Sequence, residues 1–175
     1  MKMKYNTFLL VLFVVVSSCN AIRVNYDYEK DADFASYTTY SYYGDMDTGL
    51  SELDAKRLIR VFDEALKSKG LRFSTEPDFF VNIQSTTFQT PKKNTVGVGV
   101  GGTGRGVGGG VSVGIPVGRP DVFREIRFDF VDSQKDMLFW QAISESSFKE
   151  NASPDIREEN LRQIVEKVLV KYPPK

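Results

Sequence analysis

Six of the eight tyrosines lie between Tyr26 and Tyr43, and Tyr40, Tyr42 and Tyr43 stand closest together. Phenol rings grouped in this way can stack on sugar rings or grip a small molecule, with the hydroxyls giving hydrogen bonds. The competing reading is ordinary sheet packing with the phenols reaching water at an edge, and it is preferred. Tyr40, Tyr42 and Tyr43 remain the candidate ligand contacts. Trp140 could meet a glycan too, but its alternation with Leu138 and Ala142 places it in a core, together with Leu138, Ile126 and Phe128. The carboxylate pairs Asp31/Asp33, Asp45/Asp47 and Asp129/Asp132 could bind calcium or act as acid and base. A calcium loop needs several oxygen ligands at set positions and a closing Glu. None of these pairs supplies them, so solvated turns are expected.

The chain has no histidine and one cysteine, Cys19. That removes histidine-based nucleophilic triads, histidine acid–base work and thiolate metal clusters. No catalytic residue, metal or cofactor is expected, and a hydrolase working through carboxylates alone is the remaining enzymatic alternative. The tract from Val96 to Gly118 holds 11 of the 14 glycines. Its Gly97-Val98-Gly99-Val100-Gly101-Gly102 run matches dinucleotide-loop spacing, as any glycine-dense tract does by chance. The Walker lysine is missing, and no helix-forming run follows to offer its N-terminus to a phosphate. Residues 96–118 therefore read as a flexible, glycine-rich insertion, although the Val-Gly alternation allows a hairpin extending the neighbouring strands.

Cys19 has a different context. Lys2 and Lys4 precede an apolar run from Phe8 to Val16, and Ser17-Ser18 lead into the cysteine. This is the layout of a secretory signal over residues 1–18, and the run is too short for the roughly 20 apolar residues that span a bilayer. Val16-Ser17-Ser18-Cys19 resembles the lipobox of bacterial lipoproteins, which implies lipidation of Cys19 after cleavage. Residues 19–23 then form a short tether, and residues 24–175 a single domain. The tether lacks the acidic run that some outer-membrane lipoproteins use for surface export, so a domain facing the periplasm is expected. Without Lys2 and Lys4 the mature side chains carry 21 positive and 23 negative charges, a net of −2. That balance offers no electrostatic footprint for nucleic acid.

The elements that must position these residues are legible in outline. Val24, Tyr26 and Tyr28 alternate with polar neighbours as a strand, and the Tyr/Thr-rich stretch from Tyr37 to Tyr43 is a second. Ser51 caps a helix whose apolar face holds Leu58, Ile59, Phe62, Ala65 and Leu66, with Lys56, Arg57, Asp63 and Lys67 facing out and Gly70 as its stop. A strand follows from Phe79 to Phe88. After the glycine tract, Ile126, Phe128 and Phe130 mark one strand, and Leu138, Trp140 and Ala142 the next. Ser153 and Pro154 open a closing helix with a stripe of Ile156, Leu161, Ile164, Val165, Val168 and Leu169. The expected fold class is α+β, a mainly antiparallel sheet with two amphipathic helices on one face and a long glycine-rich loop between two strands.

Asp33-Phe34, Tyr37, Thr39-Tyr40, Lys69-Gly70 and Pro77-Asp78-Phe79-Phe80-Val81 resemble the bacterial lipoprotein family called domain of unknown function 4136. So do the glycine-rich insertion, the stretch from Asp129 to Trp140, and Val168-Leu169 with Tyr172-Pro173-Pro174. The resemblance covers about Val24 to Pro174. It implies an α+β envelope lipoprotein and carries over no catalytic residue. The expected role is a non-catalytic periplasmic interaction domain, anchored to the outer membrane through Cys19 and bound to another envelope protein or to peptidoglycan. The alternative is a lipoprotein that binds a glycan or small molecule with its tyrosine-rich strands.

Overall fold

Ile126, Phe128 and Phe130 alternate with Arg127, Asp129 and Val131, and the alternation builds a strand that buries the first three completely. The computed structural model describes residues 22–90, 95–98, 113–116 and 121–174, and Cys19 lies outside them. The strands are β1 (Arg23–Tyr28), β2 (Thr39–Tyr42), β3 (Arg72–Phe73), β4 (Phe79–Thr90), β5 (Thr95–Val98), β6 (Val113–Pro116), β7 (Asp121–Asp132) and β8 (Met137–Ser147). The helices are α1 (Glu52–Ser68) and α2 (Pro154–Leu169). Six strands form one sheet in the order β1-β8-β7-β4-β2-β3. The β1/β8, β8/β7 and β7/β4 pairs are antiparallel, and β2 runs parallel to both β4 and β3. A parallel neighbour needs a crossover, and α1 lies on the one that joins β2 to β4.

Both helices pack on one face, so the chain is α+β as its pattern predicts. Phe62 of α1 stacks on Phe128 at 5.2 Å and meets Phe130 at 6.2 Å. Leu161, Ile164, Val165 and Val168 of α2 are buried in the same core. Ser51 caps α1 by accepting the Asp54 amide at 3.3 Å. At the other end Gly70 takes φ +87°, and the Gly70 and Leu71 amides return to the carbonyls of Lys67 and Leu66. This is the Schellman closure that favours glycine. Ser153 occupies the N-cap position of α2 without a side-chain hydrogen bond, and Pro154 fills the first turn.

Three sequence expectations are corrected. Leu138 is not core: it is 49% exposed, whereas Phe139 and Trp140 are 3% and 1% exposed. The β7/β8 register runs regularly to Phe130↔Trp140 and then shifts to Val131↔Leu138. Phe139 is thereby an extra residue on β8, and such a bulge breaks the two-residue alternation. Two adjacent aromatic rings enter the core and Leu138 turns outward. Ile156 is also exposed, because Arg157 holds the position in phase with Leu161, Ile164 and Val168, and one helical residue rotates the side chain by roughly 100°.

The third correction concerns Asp129 and Asp132, which do not form a solvated turn. Asp132 is buried at the end of β7 and accepts the Tyr37 hydroxyl at 2.8 Å and the Gln134 and Lys135 amides at 2.9 Å each. Burial alone would raise its carboxyl, but the Lys135 amide, the Tyr37 phenol and the Gln134 amide outweigh it and hold it below the usual carboxylate range. Burial, joined by the same contact, pushes the Tyr37 phenol up to about 12. Asp129 lies half-buried on the opposite face, where Gln141 donates to it at 2.7 Å. Burial raises that carboxyl.

Within the glycine tract, residues 96–98 and 113–116 are described. They pair antiparallel as Val96↔Ile115, Gly97↔Gly114 and Val98↔Val113 in a separate two-stranded sheet, the hairpin that the Val-Gly alternation allows. The loop expected over 99–112 and 117–118 lies outside the described residues. Among the described residues no helix is long and apolar enough to cross a membrane.

Candidate functional site

Packed helices lie about 8–10 Å apart and paired strands about 4.8 Å apart, so two helices shield roughly four strands. The sheet has six. The edge strand β3 is left beyond the outer flank of α1, and a recess of about 1000 Å³ opens there. Tyr40, Leu71 and Phe73 line its sheet side, Ile59 and Asp63 its α1 side, and Leu50 the loop that leads into α1. That loop rests directly on β4. Gly49 has φ +65°, and a Cβ there would sit 2.6 Å from the Ser85 carbonyl oxygen, so only glycine fits.

Tyr40 and Tyr42 point to the same face of β2, and both hydroxyls donate to Asp63 Oδ1, at 2.7 and 2.6 Å. Burial raises both phenols above their ordinary range, and the hydrogen bonds and negative charge of Asp63 add to the shift. Asp63 was expected to face water. It is instead half-buried, because α1 lies over β2 and the helix flank assigned to solvent meets two phenols. The pair ties α1 to the sheet edge and occupies the carboxylate. The accessible aromatic surface of the recess is Phe73, 61% exposed and edge-on to Tyr40 at 5.9 Å. On the rim Glu52 pairs with Lys56 and Glu64 with Arg60 and Arg162, while Lys67 and Arg72 have no carboxylate partner among the described residues.

A protein-family model described as a domain of unknown function, DUF4136, matches residues 24–174. The chain belongs to this family. The fold is shared with a PDZ domain protein from Parabacteroides distasonis: TM-score 0.54 and 13% identity, over 94% of this chain and 39% of that one. The chain therefore spans well under half the length of that protein. A PelC dodecamer from Paraburkholderia phytofirmans aligns with TM-score 0.49 and 9% identity, over 85% of this chain and 95% of that one. A single-residue variant of that dodecamer aligns with TM-score 0.46 and 10% identity, over the same shares of each chain. No curated protein matches.

The DUF4136 domain does not bring the three candidate tyrosines together. Tyr40 lines the recess, and Tyr42 is linked to it through Asp63. Tyr43 lies on the other face of the sheet, stacked on Phe80 at 5.0 Å. Trp140 is enclosed by Phe130 and Tyr172 at 4.6 and 5.2 Å. Among the described residues no three of His, Cys, Asp and Glu are placed to hold a metal.

Sequence reasoning missed a second cluster, on the α2 side of α1. Asp54 is buried and takes Arg57 Nη1 at 2.9 Å and Arg157 Nη1 at 2.8 Å on its two oxygens, with Arg124 Nη1 at 3.9 Å. A signal for it existed in the chain. Asp54 is in phase with Leu58 and Val61 on α1, Arg124 with Ile126, Phe128 and Phe130 on β7, and Arg157 with Leu161 and Ile164 on α2. Three charged residues at apolar-phase positions must meet one another or water.

Proposed function

We propose that this chain is a lipid-anchored bacterial envelope lipoprotein whose DUF4136 domain is a non-catalytic binding module. In this reading it is held at the outer membrane by Cys19, faces the periplasm, and takes a segment of another envelope protein in the β2–β3 recess. The recess carries the reading, through its size and its apolar lining of Leu50, Ile59, Leu71 and Phe73. A glycan needs open aromatic faces and many hydrogen-bonding groups. Tyr40 is buried and its hydroxyl is spent on Asp63, so a polypeptide with apolar side chains suits the site better than peptidoglycan. The rim and recess carboxylates Glu52, Glu64 and Asp63 are engaged by cations or phenols, which favours binding over acid–base catalysis.

The anchor agrees with this geometry. Four residue steps separate Cys19 from Arg23, at most about 14 Å of extended chain. That tether leads into β1, and β3 lies at the opposite edge of the sheet, about 24 Å away at five strand spacings. A short tether thus leaves the recess open to a partner.

Two experiments test the proposal. Cys19→Ala is expected to move the protein out of the membrane fraction, and a variant retained as fully as the parent would refute the anchor. A photo-crosslinking residue at Phe73 of the full chain, activated in intact cells, is expected to capture a defined protein, and Ile59→Asp to abolish that adduct. The same probe at Leu53, exposed on α1 outside the recess lining, is the control. Equal capture from both positions would remove the recess from the argument, and a glycan adduct at Phe73 would favour the alternative ligand.

A further inference from the structure

Asp54 has two carboxylate oxygens and three arginines around it. Arg57 and Arg157 take the oxygens at hydrogen-bonding distance. Arg157 is otherwise satisfied, because its Nε donates to the Ala152 carbonyl at 3.1 Å and its Nη2 to the Glu150 carbonyl. Arg124 is not. Its side chain is only 13% exposed, and its Nη1 stands 3.9 Å from Asp54, beyond hydrogen-bond reach. Its Nε is buried with no partner among the described residues, and its guanidinium lies over the Phe148 ring with Cζ 3.5 Å from the centroid.

A buried guanidinium nitrogen without a partner among the described residues is an exception needing a physical cause. Cation–π contact offsets part of its desolvation but fills none of its in-plane donors. Burial lowers the affinity of Arg124 for its proton, as does the charge of Arg157, and Asp54 opposes both. The cluster therefore gathers more positive than negative charge in a partly buried place, and the Arg124 fork is unfilled. Beside that guanidinium is a cavity of about 30 Å³, lined in part by Asp54, Arg124, Ser146, Lys149, Arg157 and Asn160. A water needs at least about 10–15 Å³ of such space, so the cavity has room for about two oxygen-sized atoms, the pair that a carboxylate carries at its end. It is too small for a sugar ring.

We propose that this cavity is a binding site for a carboxylate group, received by the Arg124 guanidinium with Lys149 at the cavity wall. Charge selects an anion, the planar fork matches a carboxylate, and the volume restricts entry to a small end group. The carboxylate can belong to a small free acid or to the C-terminus of a polypeptide.

The full chain in detergent is titrated with sodium acetate while its melting temperature is followed. The sodium salt of a bulky sulfonate buffer, at matched ionic strength, supplies the control for general salt effects. Acetate at ten times its Kd is expected to raise the melting temperature by about 3–5 °C more than the control. Arg124→Met keeps a flexible apolar stem and removes the fork, and it is expected to abolish that increment. If Arg124→Met does not fold, Arg124→Lys is read instead, and at least a tenfold weaker acetate response is expected. The proposal is overturned if acetate acts no better than the sulfonate, or if the variant keeps the full increment. A short peptide with a free C-terminus, compared with its amidated form, separates the sources. Stabilisation by the free form at concentrations well below acetate points to a polypeptide end, and equal potency with acetate to a small free acid.

Discussion

Trp140→Ala is expected to cost about 3–5 kcal/mol of folding stability, a large share of the 5–15 kcal/mol typical of a domain. Trp140 is enclosed by Phe130 and Tyr172 and fills space that the surrounding strands cannot close over. Its indole Nε1 is buried without a partner among the described residues, so Trp140→Phe, which removes that donor and keeps most of the volume, is expected to cost much less. The bulge makes the series sharper. Phe139 stacks on Tyr37 at a centroid distance of 4.0 Å, and Phe139→Ala is expected to fall in the same range as Trp140→Ala. Leu138→Ala, at an exposed position, is expected to stay within about 0.5 kcal/mol of the parent. Denaturant unfolding of the four variants decides the matter. A costly Leu138→Ala with a mild Phe139→Ala would mean that β8 keeps a strict alternation and has no bulge.

Asp54→Ala is the second large effect. It leaves Arg57, Arg124 and Arg157 without their common carboxylate at the junction of α1, α2 and β7. Removing one partner from a buried ion pair costs about 3–5 kcal/mol, because the remaining charge stays desolvated and unpaired. For a chain of this size that is a fall in melting temperature of about 6–20 °C. Combining Asp54→Ala with Arg124→Met and Arg157→Met replaces buried charge by apolar volume, and it is expected to recover a substantial part of the loss. An Asp54→Ala protein as stable as the parent would show that water already compensates the arginines. The ion pairs of α1 at Lys56–Glu52 and Arg60–Glu64 offer a contrast. They are exposed, and their disruption is expected to be worth less than about 1 kcal/mol.

By itself the sequence determined both helices, the longer strands and most of the core, but not the two-residue strand β3. Period-two alternation marked the faces of β4 and β7, and Phe79, Val81, Ile83, Ile126, Phe128 and Phe130 are all buried as that alternation requires. Helical spacing marked Leu58, Phe62, Leu66, Leu161, Ile164 and Val168, and local backbone chemistry marked the ends at Ser51, Gly70 and Pro154. These features depend on neighbours a few residues away, so they are written locally. The motif order from Asp33 to Pro174 was also enough to point to the DUF4136 family.

Only the tertiary structure decided what depends on partners distant in the chain. The bulge that exchanges Leu138 for Phe139 arises where β8 must fit β7, and no local pattern announces it. Asp63 became a clamp because Tyr40 and Tyr42, 23 and 21 residues away, arrive beneath α1. Asp54 and Arg157 are 103 residues apart, and each alone reads as a favourable charge in the first turn of a helix or a solvated one. The recess is a matter of width. Two helices cannot cover six strands, and which edge is left bare depends on the strand order, which places β3 at the edge beside β2.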